Sequence, residues 1–272
     1  MTTDMKLDQL NAVLSTLSVS LITVPRSDWM TCTPDDLCSE LAERNKSSQF
    51  STIPVVVDGK VLGLHNAARW FEKTPPVSPV GADYEPLSED IIIADDASIF
   101  DFVRQADRHP TNLVVKGTSI AGLVSLSDIQ QLPVRAALFT LVTSFEMMMA
   151  DLVARAYPDN EEWKSLLTSG RRTKLEAAVA EAKRKDVFTT ELLFTQFCDK
   201  RTIVVKHGLK GADPETLEER IKAAENLRDS LAHANAYADT PPKAQRVCAI
   251  VRDIYELKSQ ISATVRGLAQ GA

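Results

Sequence analysis

The sequence IPVVVDGKVLGLHNAAR at residues 53–69 is followed, at residues 112–128, by NLVVKGTSIAGLVSLSD, which has the same plan. In the first copy an apolar run at 53–57 meets Asp58-Gly59 and then a second run at 61–64, the pattern of a β-hairpin closed by a two-residue turn. In the second copy, runs at 112–115 and 120–124 flank Lys116-Gly117-Thr118. Helix-forming sequence follows each hairpin, from Asn66 and from Leu126. Working outward, a strand and a helix also precede each hairpin. A strand at 21–24 and a helix at 34–44, with Pro34 in its first turn, lead into the first. A strand at 91–93 and a helix at 97–107 lead into the second. Leu37 and Leu41 match Ile99 and Val103 at an offset of 62 residues, whereas Gly63 matches Gly122 at 59. The three-residue difference falls in the loop between helix and hairpin, where repeats commonly absorb length. A Pro-, Ser- and Gly-containing linker at 74–88 separates the copies, and a short amphipathic helix is expected at 8–17.

Beyond Val134 strand signals cease. Amphipathic helices are predicted at 134–157, ended by Pro158, and at 161–167, 171–183 and 191–205. A loop with Gly208 and Gly211 leads to Asp213-Pro214, which starts another long helix, and a last one runs over 241–266. Four substantial helices make a bundle. The fold class is therefore α+β: tandem βαββα repeats in a domain spanning 1–133, then an all-α bundle spanning 134–272.

Charge divides at the same place. The whole chain carries −6. Residues 1–133 hold 10 basic and 18 acidic side chains, and residues 134–272 hold 21 and 19, which suits two domains with different partners. Cys32, Cys38, Cys198 and Cys248 show no C-x-x-C spacing and form no ligand set with the histidines, so neither structural zinc nor a disulfide framework is expected. The first residues lack the basic start and apolar run of an export signal, and apolar stretches such as 136–142 fall short of the roughly 20 residues of a membrane span. These features predict a cytoplasmic protein with no membrane partner.

The βαββα unit given twice, ending in Gly122-Leu-Val-Ser125-Leu-Ser-Asp128, resembles the CBS (cystathionine β-synthase) domain pair over residues 18–133. The resemblance implies a regulatory adenine nucleotide, with Ser125 and Asp128 holding phosphate and ribose. Hydroxyls and free backbone N–H groups at a helix start suit phosphate, and a carboxylate accepts from ribose hydroxyls. The first repeat departs from this pattern, with Asn66 and Arg69 where Ser125 and Asp128 stand; Arg69 would there supply charge to a phosphate, or neither repeat binds. A structural reading competes, because Ser three residues before an acid is also a helix capping box.

In the helical half, Asn226-Leu-Arg228-Asp229-Ser-Leu-Ala-His233 resembles the Arg-polar-x-x-x-His motif of the HEPN (higher eukaryotes and prokaryotes nucleotide-binding) family, on the penultimate long helix of a bundle, with Glu146 on the first helix where that family often has an acid. The resemblance implies RNA cleavage without a metal or other cofactor. His233 would act as base or acid, since imidazole titrates near neutrality. Arg228 would neutralise charge on the phosphorane with forked N–H donors, and Asp229 would orient either. Residues five apart on a helix lie about 140° apart around its axis, so one copy does not focus both groups, and the resemblance implies a homodimer with a shared cleft. The competing reading pairs Arg228 with Glu225 or Glu146 and leaves His233 to cap or pack near the helix end.

Taken together, the two resemblances imply a nucleotide-regulated endoribonuclease of the toxin, stress or phage-defence kind, acting on RNA rather than DNA and held by an antitoxin or regulatory protein. The alternative is a catalytically silent nucleotide sensor that serves dimerisation or contact with another protein.

Overall fold

A computed structural model describes residues 16–47, 49–185, 190–233 and 235–271. All but the last two positions of the helix expected at 8–17 lie outside the described residues. The chain forms two compact units, with Ser18–Asp128 in one and Ile129–Ala272 in the other.

Within Ser18–Asp128 the duplication is visible in fine detail. Strands β2 (Thr52–Val57) and β3 (Lys60–Asn66) form the first hairpin. Strands β6 (Thr111–Lys116) and β7 (Ser119–Ser125) form the second. Asp58 and Gly59 both take positive φ, the signature of a type I′ turn, whereas Gly117 alone does so in the second turn, as a II′ turn requires. Each hairpin bulges at the equivalent place, between Val55 and Val56 and between Val114 and Val115.

The hairpins exchange their outer strands. β1 (Val24–Pro25), which precedes the first repeat, pairs antiparallel with β7 of the second. β4 (Glu85–Pro86), which precedes the second repeat, pairs antiparallel with β3 of the first. On the other edge β5 (Ile92–Ala94) runs parallel to β6, and Cys32 makes the matching parallel bridge to Val55. The outcome is a four-stranded sheet in the order β1-β7-β6-β5 and a three-stranded sheet β2-β3-β4. This explains the two matched glycines. A Cβ on Gly63 would collide with the Glu85 carbonyl, and one on Gly122 with Thr23 and the Val24 carbonyl, so each glycine lets the exchanged strand cross closely.

Several sequence expectations change. Of the strand expected at 21–24, Leu21 ends a 3₁₀ turn, Val19–Leu21, and only Val24 is extended, in the two-residue β1. Helices α1 (Cys38–Arg44) and α2 (Ile99–Val103) are shorter than predicted, and the segments after the hairpins are 3₁₀ turns, Ala67–Trp70 and Leu126–Gln130. The bridges Ser18↔Ser98 and Leu37↔Pro79 set the helix offset at 61 residues, not 62, so Cys38 matches Ile99 and the loop between helix and hairpin absorbs two residues. The linker is also less free than its composition suggested. Val80 is fully buried in a core with Cys38, Leu41, Ile53 and Val55, and Val80 N–H and Gly81 N–H donate to the carbonyls of Asp36 and Pro34.

In Ile129–Ala272 the described elements are helical: α3 (Leu132–Ala156), α4 (Asn160–Ser165), α5 (Ser169–Arg184), α6 (Phe197–His207), α7 (Pro214–Ala232) and α8 (Pro241–Gly271), with a 3₁₀ turn at Glu191–Phe194. α3 is long and apolar enough to cross a membrane by length and composition. Here Leu138, Leu141, Val142, Phe145 and Leu152 are buried, as in the core helix of a bundle. The single helix expected at 191–205 is broken at Thr195, because the Gln196 and Asp199 side chains form a capping box that restarts it as α6. Asp199 is almost fully buried. Burial alone would raise its carboxyl, but the Arg171 guanidinium, gripping both oxygens, and the Gln196 N–H hold it below the usual range.

Candidate functional site

The end of β7 carries the first candidate. Leu126 N–H donates to the Pro110 carbonyl at 2.7 Å, which turns the chain into the 3₁₀ segment and brings Asp128 back under Ser125. Ser125 N–H and Oγ both donate to Asp128 Oδ2, at 2.6 and 3.0 Å. Asp128 thus makes the carboxylate half of a capping arrangement, and it is buried to 9% exposure. Its environment is nonetheless a cleft. Asp28, Trp29, Phe50, Thr111 and Ser127 stand around Ser125 and Asp128, with Met30 and Leu123, around about 670 Å³ of space that is partly open to solvent. Trp29 is fixed by its Nε1–H, which donates to the Val24 carbonyl at 3.2 Å. Phe50 is fixed by the Asn45 side chain, which bonds its N–H and its carbonyl. No Lys, Arg or His stands among the described residues lining this cleft.

A second cleft, of about 580 Å³, is the counterpart in the other repeat and contains Asn66, Arg69, Asp83, Glu85, Arg108 and His109. Asn66 and Arg69 occupy the places of Ser125 and Asp128 at the 59-residue offset. Arg69 therefore lies apart from the Ser125–Asp128 cleft, and its Nη1 is held by both oxygens of Asp83 at 2.7 and 2.6 Å. Thr52 and Thr111 line both clefts, and their hydroxyls hydrogen-bond at 2.9 Å.

Two polar groups escaped the sequence reading. Among the described residues, His65 Nδ1 and Trp70 Nε1 are buried without a hydrogen-bond partner and line a smaller cavity with Cys38 and Asn45. Burial lowers the His65 imidazole below its ordinary range and keeps it neutral near pH 7. The signal lay in the repeat, since the equivalent positions in the second copy are the apolar Val124 and Ile129.

The second candidate is on α7. Asp213 caps this helix by accepting from Thr216 N–H at 2.9 Å, and Leu217, Ile221, Ala224, Leu227 and Leu231 form its buried face. Arg228 sits beside that face with its side chain 40% exposed. Its Nε lies 3.7 Å from Glu146 Oε2 on α3, and its Nη1 lies 3.2 Å from Asp229 Oδ1. Glu146 also accepts from the buried Lys200 Nζ at 3.0 Å. Glu225, the other acid considered for Arg228, pairs instead with Arg201 and Lys222. Arg228, Asp229 and Glu146 are therefore brought together, while His233 is the C-cap residue of α7, its backbone bonded to the Asp229 carbonyl and its side chain exposed.

Arg135 was not foreseen. Its guanidinium donates to the carbonyls of Ser230, Leu231 and Asn235 at 3.4, 3.1 and 2.7 Å, and it lies 4.8 Å from the Tyr237 ring centre. The Tyr237 hydroxyl donates in turn to the Ile129 carbonyl, and burial pushes its phenol up to about 12. These contacts bind the end of α7 to the start of the helical unit. No group of three or more His, Cys, Asp or Glu side chains arranged to hold a metal occurs among the described residues.

No protein-family model matches the sequence, and no curated protein matches it. Among solved structures, the N-terminal half is similar to CBS domain pairs. One is the CBS domain of a bacterial CNNM/CorC family Mg2+ transporter in complex with ATP, at 16% identity over 49% of this chain and 97% of that one, with a TM-score of 0.39. Another is CBSX2 in complex with AMP, at 18% identity over 44% and 96%, with a TM-score of 0.35. A third is a hemolysin-like protein containing a CBS domain from Oenococcus oeni, at 13% identity over 45% and 94%, with a TM-score of 0.36.

Proposed function

We propose that Ser18–Asp128 is a nucleotide-sensing module of the CBS type, which binds an adenine nucleotide and regulates the helical unit. The observation that carries this reading is the cleft at the end of β7. It joins a buried carboxylate, Asp128, to the hydroxyls of Ser125, Ser127 and Thr111 and to the aromatic side chains Trp29 and Phe50. A carboxylate accepts from ribose hydroxyls, and aromatic walls suit a planar base. Titration calorimetry with adenine nucleotides tests it. The wild type is expected to bind, and Asp128→Ala to lose most of the affinity; unchanged affinity would move the ligand elsewhere.

A second reading, for Ile129–Ala272, is favoured by Arg228 held next to Glu146 with His233 exposed at the helix end. We propose that this unit is an endoribonuclease of the HEPN type, active as a homodimer in the cytoplasm as a toxin or defence effector. His233 takes the proton of a ribose 2′-OH as that oxygen attacks the adjacent phosphorus. The bond from phosphorus to the 5′ oxygen breaks, and the leaving oxygen takes up a proton, giving a 2′,3′-cyclic phosphate and a 5′-OH. Arg228 offsets the charge gathering on the phosphorane. Incubation with total RNA in EDTA should show cleavage by the wild type and none by His233→Ala. Absence of cleavage by either, with and without adenine nucleotides, would leave the helical unit as a silent dimerisation or protein-contact module.

A further inference from the structure

We infer that the two clefts of Ser18–Asp128 form one continuous site for a single nucleoside polyphosphate, with its nucleoside beside Asp128 and its phosphates across the Thr52–Thr111 pair against Arg108. The inference rests on the nucleotide reading above and adds which ligand class is taken, in what stoichiometry and through which cation.

Charge is distributed unevenly over two clefts that are otherwise copies. The cleft at Asp128 holds two carboxylates, Asp28 and Asp128, and no cation among its described lining residues. A phosphate lodged wholly within it would face like charge at close range, which is unfavourable wherever water is partly excluded. The counterpart cleft holds Arg69, Arg108 and His109 together with Asp83 and Glu85. Arg69 is neutralised there by its two contacts with Asp83. Arg108 is exposed and forms no ion pair among the described residues, so its forked donors are open to a phosphate.

The clefts meet at the two threonines. Thr52 and Thr111 line both, and their hydroxyls stand 2.9 Å apart. A ligand that extends from one cleft to the other passes these hydroxyls; Thr111 Oγ1–H donates to Thr52 Oγ1, and the Thr52 hydroxyl proton can turn toward a phosphate oxygen. The repeat offset also explains why the cation sits on one side only. Gln49-Phe50-Ser51-Thr52 in the Asp128 cleft corresponds to Arg108-His109-Pro110-Thr111 in the other, so the neutral Gln49 stands where Arg108 would be. One cleft is built for a base and ribose, and the other for their anionic tail.

Calorimetric titration of the full chain with adenosine, AMP, ADP and ATP, repeated with Arg108→Ala, tests this. The expected result is one ligand per chain, with ATP tighter than adenosine. Arg108→Ala should weaken ATP about tenfold, as expected for loss of a charge-assisted hydrogen bond, and leave adenosine unchanged. Two ATP per chain, adenosine as tight as ATP, or an ATP affinity indifferent to Arg108→Ala would each overturn the inference while the nucleotide reading stands. Failure of all four compounds to bind would instead overturn the nucleotide reading itself.

Discussion

At the scale of single residues, the side chains that matter differ in how far away their partners lie. Ser125 and Asp128 were legible because their contact is three residues long and their spacing is itself a motif. Arg135 was hidden, because the carbonyls it binds lie about a hundred residues further along the chain and nothing local marks it. His65 was hidden for another reason. Strand alternation places it inward, but only comparison with Val124 shows that an imidazole has replaced an aliphatic core residue. That replacement has a consequence for stability. Burial lowers the His65 pKa, so the folded state resists protonation. Above about pH 6.5, the ordinary value, His65 is neutral in both states and contributes no slope; below it the unfolded chain takes up a proton that the folded chain refuses, and stability falls. His65→Val should flatten this loss in chemical denaturation curves recorded between pH 7.5 and 5. An unchanged slope would assign the pH dependence to other groups.

At the scale of elements, the hairpins were the most readable features, because Asp58-Gly59 and Gly117 satisfy turn geometries that few other residues allow. The helices expected after them are 3₁₀ turns, Ala67–Trp70 and Leu126–Gln130. The exchange of β1 and β4 had no sequence signal beyond the two glycines, because a two-residue strand is too short to show alternation. In the helical unit the end of α7 depends on Arg135, which satisfies carbonyls that a helix C-terminus leaves open. Arg135→Ala should cost about 1–3 kcal/mol, the range for hydrogen bonds to a charged group. It should also speed amide exchange at His233 and Asn235 and reduce any RNA cleavage that depends on His233. Unaltered exchange at those amides would show that the helix end is held by other contacts.

At the scale of the whole molecule, the α+β class was legible from the duplication and from the loss of strand signals past Val134. The structure divides the chain between Asp128 and Ile129. Because each hairpin borrows an edge strand from the other repeat's leading segment, the two repeats of Ser18–Asp128 are one folding unit, and a ligand in either cleft acts on both. Binding to the folded state alone must therefore appear as stability of that unit.

The most direct test of a nucleotide-sensing function is thermal unfolding of the full chain, with and without ATP at a hundredfold excess over its dissociation constant. Such a ligand adds about 2.7 kcal/mol. A rise of roughly 5 °C or more in the Tm of the wild type and little or none in Asp128→Ala is expected; a wild-type Tm indifferent to ATP, or an equal rise in Asp128→Ala, would contradict a nucleotide-sensing function at this cleft.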